Sequence, residues 1–166
     1  PAHRGRSREG GTVNTLEVTI KGDPKGQPRP RAYARRMGAN FVARVYDSDV
    51  ADDWKRAVRM AVRADAMRAF PQRLDDVAFK VVLTFTFRRP KSHLSTAGLL
   101  KAKSPLWHIS RPDCDNLAKL VLDQITDLAL IWRDDSQVVI LVVEKFWARA
   151  GEEGGCAVRI EAMTDW

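Results

Sequence analysis

From Val77 to Phe87 every second residue is apolar: Val77, Phe79, Val81, Leu83, Phe85 and Phe87. Side chains of a strand alternate between its two faces, so this run predicts a long strand with one heavily apolar face, which demands a cover. Two segments offer that cover. In VADDWKRAVRMAVRADAMRAF, Trp54, Val58, Ala61 and Val62 recur at helical spacing behind the cap-type residues Asp47, Ser48 and Asp49, which predicts a helix over 50–69. In DNLAKLVLDQITDLAL the apolar positions fill one arc of a helix, while Asp115, Lys119 and Asp123 stack at i, i+4 and i+8 on the other. Leu16, Val18 and Ile20 predict a strand at 15–21, QVVILVVEKF a nearly all-apolar buried strand at 137–146, and CAVRIEAM a last strand at 156–163. The order β-α-β-α-β-β makes this an α+β fold, a single mixed sheet of about four main strands covered by two helices. Residues 1–14 read as a flexible basic arm and 15–166 as one domain.

The chain has 166 residues, and its 28 Lys+Arg against 21 Asp+Glu give a formal net charge of +7, which favours a polyanionic partner. With 45% hydrophobic residues it can bury an ordinary core. The sequence offers neither the apolar run of roughly 20 residues that a membrane helix needs nor the apolar stretch of a signal peptide, so an intracellular protein without membrane contact is expected. Cys114 and Cys156 lie in no metal-type cluster and read as small core fillers.

Positive charge concentrates in two connections. Arg29, Arg31, Arg35, Arg36 and Arg44 fall in a basic loop and its continuation after the first strand. Lys101, Lys103 and Arg111 fall in a long loop, 88–112, that holds no acidic residue. These are the candidate phosphate contacts. Arg56, Arg59 and Arg63 on the first helix read as a solvated face. Trp54 and Trp147 are expected to pack, and Trp107, beside His108, is a candidate for stacking on an unpaired base.

Against this basic background four carboxylates stand out, in RPDCDNLAK and in the pair Asp134-Asp135. Pro112 favours extended geometry before it, so Asp113 and Asp115 are expected to leave a strand-like segment on one side. Two carboxylates sharing a volume repel, and a divalent cation resolves the repulsion. All the candidate donors are oxygens, which points to Mg²⁺, or Mn²⁺ in its place, rather than zinc. Asp135 completes the set if the turn after the second helix folds back. Lys119, among carboxylates, suits stabilisation of charge on a phosphate in its transition state better than general-base work, and Asp123 can hold it in place. The plainer reading makes Asp115 a helix cap and Asp134-Asp135 a polar turn.

RPDCDNLAKLVLDQI, followed by WRDDSQVV and Lys145, resembles the RusA family of Holliday-junction resolvases, whose hallmark is Asp-x-Asp-Asn-Leu-x-Lys followed by Asp-Asp. GDPKGQPRPR is similar to the family's basic, Pro-rich segment, and the resemblance spans about residues 15–163. It implies that Asp113, Asp115 and Asp135 bind metal and that Lys119 is the catalytic lysine; Asp123 and Asp134 are read as supporting residues from their positions beside these. It also implies a homodimer that makes paired nicks in four-way DNA junctions, in recombination and repair within a bacterial or phage-infected cytoplasm. The alternatives are a related nuclease acting on flaps, forks or single strands, and a catalytically inactive junction-binding module.

Overall fold

The computed structural model describes residues 14–28, 31–37, 40–46 and 49–163, with backbone alone for 31–37, 40–46 and Asp49. Its elements are β1 (Thr15–Lys21), β2 (Arg31–Met37), β3 (Asn40–Tyr46), α1 (Asp52–Ala69), β4 (Ala78–Phe87), α2 (Cys114–Leu128), β5 (Val138–Trp147) and β6 (Gly155–Met163). Strands β1, β6, β4 and β5 form one sheet in that order. β6 is antiparallel to both its neighbours, whereas β4 and β5 are parallel. A parallel pair needs a crossover, and α2 supplies it.

The alternating run becomes the middle of the core, with Phe79, Val81, Leu83 and Phe85 fully buried. They share one apolar cluster with Trp54, Val58 and Val62 of α1 and Leu117, Val121 and Ile125 of α2. Trp132, after α2, meets Phe79 edge-on at 5.3 Å and so ties the crossover to the start of the sheet. Arg59 does more than face solvent: it donates to Gln124 Oε1 and joins α1 to α2.

Three sequence expectations need correction. The first basic loop contains a hairpin, with β2 and β3 paired antiparallel from Arg31↔Tyr46 to Met37↔Asn40. RAYARRM mixes small and cationic residues and offers no apolar stripe, although the Phe-Val-Tyr content of NFVARVY was a usable strand signal. Helix α1 proper starts at Asp52 rather than 50, because the helical stretch opens with a 3-10 turn at Asp49–Ala51, while Asp47 and Ser48 lie outside the described residues. β5 is an edge strand, not a buried one, and leaves Val139, Ile140, Leu141 and Val142 exposed by 60, 40, 43 and 38%.

Candidate functional site

The start of α2 gathers part of the acidic constellation. Asp113 occupies the cap position with extended backbone (φ −75°, ψ 157°), yet its side chain makes no cap hydrogen bond, so its carboxylate is uncommitted. Asp115 sits in the first helical turn. The expected strand-like segment carrying both acids is therefore replaced by a strand-to-helix junction, because the helix begins at Cys114. Both side chains are exposed, and both lie at the positive end of the helix dipole. Nine residues of helix turn through about 180°, so Asp115 faces away from Gln124, the residue that meets α1. Lys119 follows one turn later on that outer face, with its Nζ 3.5 Å from Asp123 Oδ1. The acid, base, acid stripe thus stands as expected.

Two elements fix this helix start. Lys145, on β5, donates to Ser110 O at 2.8 Å and to Pro112 O at 2.7 Å, which clamps the chain just ahead of Asp113. From the other side, Gln27 N donates to Asn116 O at 3.0 Å. Gly26 packs so closely there that a Cβ would lie 2.4 Å from Asn116 Nδ2. Between the segment 25–27 and the helix start opens a cleft of about 700 Å³, with Arg111, Asp113 and Asn116 on its helix side. Sequence reasoning assigned no role to Lys145, Asn116 or Gln27. Asn116 and Lys145 do stand in the motif that carries the family resemblance, and Lys145 is also marked by the Glu-Lys pair interrupting an otherwise apolar strand.

Asp134 and Asp135 lie elsewhere. Asp134 caps the short helical turn before β5 through Ser136 N at 3.0 Å, and the Ser136 hydrogen bonds, with Arg133 nearby, hold its carboxyl below the usual carboxylate pKa. For this residue the polar-turn reading is correct. Asp135, half-buried, begins that turn. It stands at the far end of α2 from Asp113, and a helix of 15 residues spans about 22 Å. The turn does not bring Asp135 back to Asp113: β5 runs parallel to β4 and starts with Val138 near Phe79, where β4 begins, whereas its other end, at Lys145, meets the chain just ahead of Asp113. Among the described residues, no group of three or more His, Cys, Asp or Glu is placed to hold a metal.

The cationic candidates divide similarly. Arg31, Arg35 and Arg36 lie on β2 and Arg44 on β3, while Arg29 is outside the described residues. Arg111 lines the cleft beside Asp113, and Lys103 is exposed. Lys101 is exposed too, with its Nζ bonded to Ser92 O at 3.0 Å. The loop that carries the last three is pinned throughout. Arg89 donates to Ala148 O and Pro105 O at 2.7 and 2.8 Å, and Ser104 Oγ donates to His93 O at 2.7 Å. His108 is buried, stacked on Phe87 with centroids 3.9 Å apart, and its N donates to Lys145 O at 3.2 Å. No helix among the described residues is long and apolar enough to cross a membrane.

A basic α+β domain that presents uncommitted carboxylates and a lysine at one helix start, beside a cationic loop, has the makings of a phosphodiester-cleaving enzyme. The comparison with protein families gives that class a particular form. Residues 21–161 match the family Endodeoxyribonuclease RusA, and the chain belongs to that family of endodeoxyribonucleases. The chain is also similar to the Uncharacterized protein YqaN of Bacillus subtilis (strain 168), 27% identical over 140 residues that cover 82% of this chain and 90% of that protein.

Proposed function

We propose that this chain is a structure-selective endonuclease that resolves four-way DNA junctions by paired nicks, in recombination and repair. The observation that carries the reading is the start of α2: Asp113 and Asp115 exposed and free of structural duty, with Lys119 one turn on and Arg111 at the cleft between them and the basic loop. Exposed carboxylate oxygens as donors fit Mg²⁺ or Mn²⁺. A divalent ion held by them would offset their mutual repulsion and lower the pKa of the attacking water. Water oxygen bonds to phosphorus and the P–O3′ bond breaks, leaving 5′-phosphate and 3′-hydroxyl ends. Lys119 stabilises the added negative charge on the phosphate, while Arg111 and the basic loop hold the flanking backbone.

Two carboxylates make only part of the expected set, and β5 suggests where the third comes from. Its residues 138–143, Val-Val-Ile-Leu-Val-Val, form an uncharged sequence that reads nearly the same in both directions, on an edge that leaves four of them exposed. Such an edge invites another strand. A second copy related by a two-fold axis would pair its β5 antiparallel to the first, apolar against apolar. That arrangement sets the Asp135 end of one strand beside the Lys145 end of the other, where Asp113 and Asp115 wait. Acidic start and basic end are then complementary. The working enzyme in this reading is a homodimer with two composite sites.

The test is a labelled four-way junction, and separately its linear duplex arm, incubated with Mg²⁺ or with chelator beside Asp113→Asn. Junction-only, Mg²⁺-dependent nicking that the variant loses is expected. A junction that is bound but never cut with either metal would leave a binding module, and preferential cutting of flaps or forks would reassign the substrate.

A further inference from the structure

The proposed nuclease does not account for a pair of exposed apolar side chains beside its site. Trp107 is 57% and Ile109 92% exposed, although His108 between them is buried. The alternation follows from an extended backbone: Trp107 bridges Phe146, and Leu106 O and His108 N bond Trp147 N and Lys145 O. Side chains two apart on an extended segment project to the same side, with Cα atoms about 7 Å apart. Trp107 is also held firmly, since one ring face stacks on Phe146 at 4.8 Å. The segment ends at Ser110, whose carbonyl Lys145 clamps, three residues before Asp113. Two large apolar groups are thus mounted rigidly next to the helix start.

Their surroundings select the partner. Residues 88–112 include Arg88, Arg89, Lys91, Lys101, Lys103 and Arg111 and no acid. A second copy's equally cationic loop would be repelled, and the β5 pairing proposed above is made in the plane of the sheet and leaves open the side chains that stand off its face, where a phosphate backbone is attracted. Apolar side chains delivered among phosphate-binding cations act on nucleic acid by entering between bases, and an indole face stacks on any base it meets. The centre of a branched duplex is where base pairs end a stack and open most easily.

We propose that Trp107 and Ile109 form an apolar wedge that enters the branch point of a DNA junction and unstacks the base pair next to the phosphate at Asp113. This rests on the junction-nuclease reading and adds how the branch is recognised. The free face of the indole receives the displaced base, and Ile109 fills the space that base leaves.

The experiment places 2-aminopurine beside the displaced base in the same strand, where it loses a stacked neighbour without itself lying on the indole, and follows its fluorescence as protein is added in chelator, so that no cutting occurs. The unsubstituted protein should brighten the junction and leave a linear duplex with the same label unchanged. Trp107→Ala/Ile109→Ala should bind the junction about tenfold more weakly, the loss of one stacked base, and should fail to brighten it even at saturation. Trp107→Phe should retain most of the brightening. Both positions are exposed, so unchanged circular dichroism and melting are expected of each variant. Equal brightening by the double variant at saturation overturns the wedge while leaving the nuclease reading intact, provided the unsubstituted protein nicks the junction with Mg²⁺. Failure of the unsubstituted protein to bind or nick the junction removes both. Dissociation of the double variant into monomers in sedimentation, where the unsubstituted protein is dimeric, assigns these side chains to an interface and also overturns the wedge.

Discussion

At the scale of single residues, Asp113 and Lys145 show two ways in which a charged side chain can serve the same site. Asp113 is exposed and makes no cap bond, so Asp113→Asn should leave the melting temperature and junction binding nearly unchanged while nicking is abolished on a denaturing gel. Lys119→Ala should slow nicking at least about tenfold if the ammonium supplies even about 1.4 kcal/mol of transition-state stabilisation. Lys145 acts through the backbone. Lys145→Met leaves the Ser110 and Pro112 carbonyls without their donor, and should cost about 1–3 kcal/mol in urea unfolding and also slow nicking, with Lys145→Arg recovering part of both. His108 adds a pH dependence. Burial first, and the Lys145 charge second, hold its imidazole below the ordinary pKa, so the unfolded chain takes up this proton more readily than the folded protein. The stability it contributes is complete above about pH 6.5 and declines as pH falls from there towards the folded value. Thermal melts between about pH 7.5 and 5 should show the decline, and His108→Phe should flatten it.

At the scale of elements, the strap between β1 and β2 decides the shape of the cleft. Gly26 lets the backbone pass against Asn116 and Pro112, where an added methyl would also lie 3.1 Å from Pro112 Cβ. Gly26→Ala should therefore destabilise the fold by about 1–3 kcal/mol, and Asn116→Ala in the same chain should relieve much of that cost, a coupling readable in a double-mutant cycle. Which elements were legible follows the strength of their periodicity. Thr15–Lys21, Ala78–Phe87 and both helices carry an apolar stripe matched to one period, and these the sequence located within a few residues. β2 carries Ala and Arg where a stripe would be, which hides the hairpin despite the Phe, Val and Tyr of β3. β5 was recognised as a strand but placed inside, because an apolar run has the same composition whether a helix layer or another chain covers it. The acid and lysine stripe of α2 was equally legible, being a consequence of helical spacing alone. The separation of Asp135 was not, since it depends on β5 running parallel to β4, a matter of topology that local pattern does not encode.

At the scale of the whole molecule, the parallel pairing of β4 and β5 sends α2 the length of the sheet and so parts Asp113 from Asp135 by the length of a helix. A site that needs both must borrow one, and the borrowing has a signature in mixed dimers. Asp113→Asn and Asp135→Asn should each be inactive alone, as every site in either homodimer lacks one carboxylate. Co-expressed with two different tags and purified through both, they form a dimer in which one composite site has lost both carboxylates and the other has kept both. That mixed dimer should nick the junction on one strand, with up to half the activity of the unsubstituted protein. If each site is built within one chain, both sites of the mixed dimer stay broken and no nicking appears. Sedimentation without metal tests the assembly apart from the chemistry, with a mass twice the 18.7 kDa of the chain expected. Val139→Lys places its charge at a position that is 60% exposed in the single chain, so the fold should tolerate it, yet each two-fold pairing would confine two such lysines in an apolar seam. A folded monomer that binds junction but does not nick it is the expected result, and a Val139→Lys protein that remained dimeric and active would move the seam away from β5.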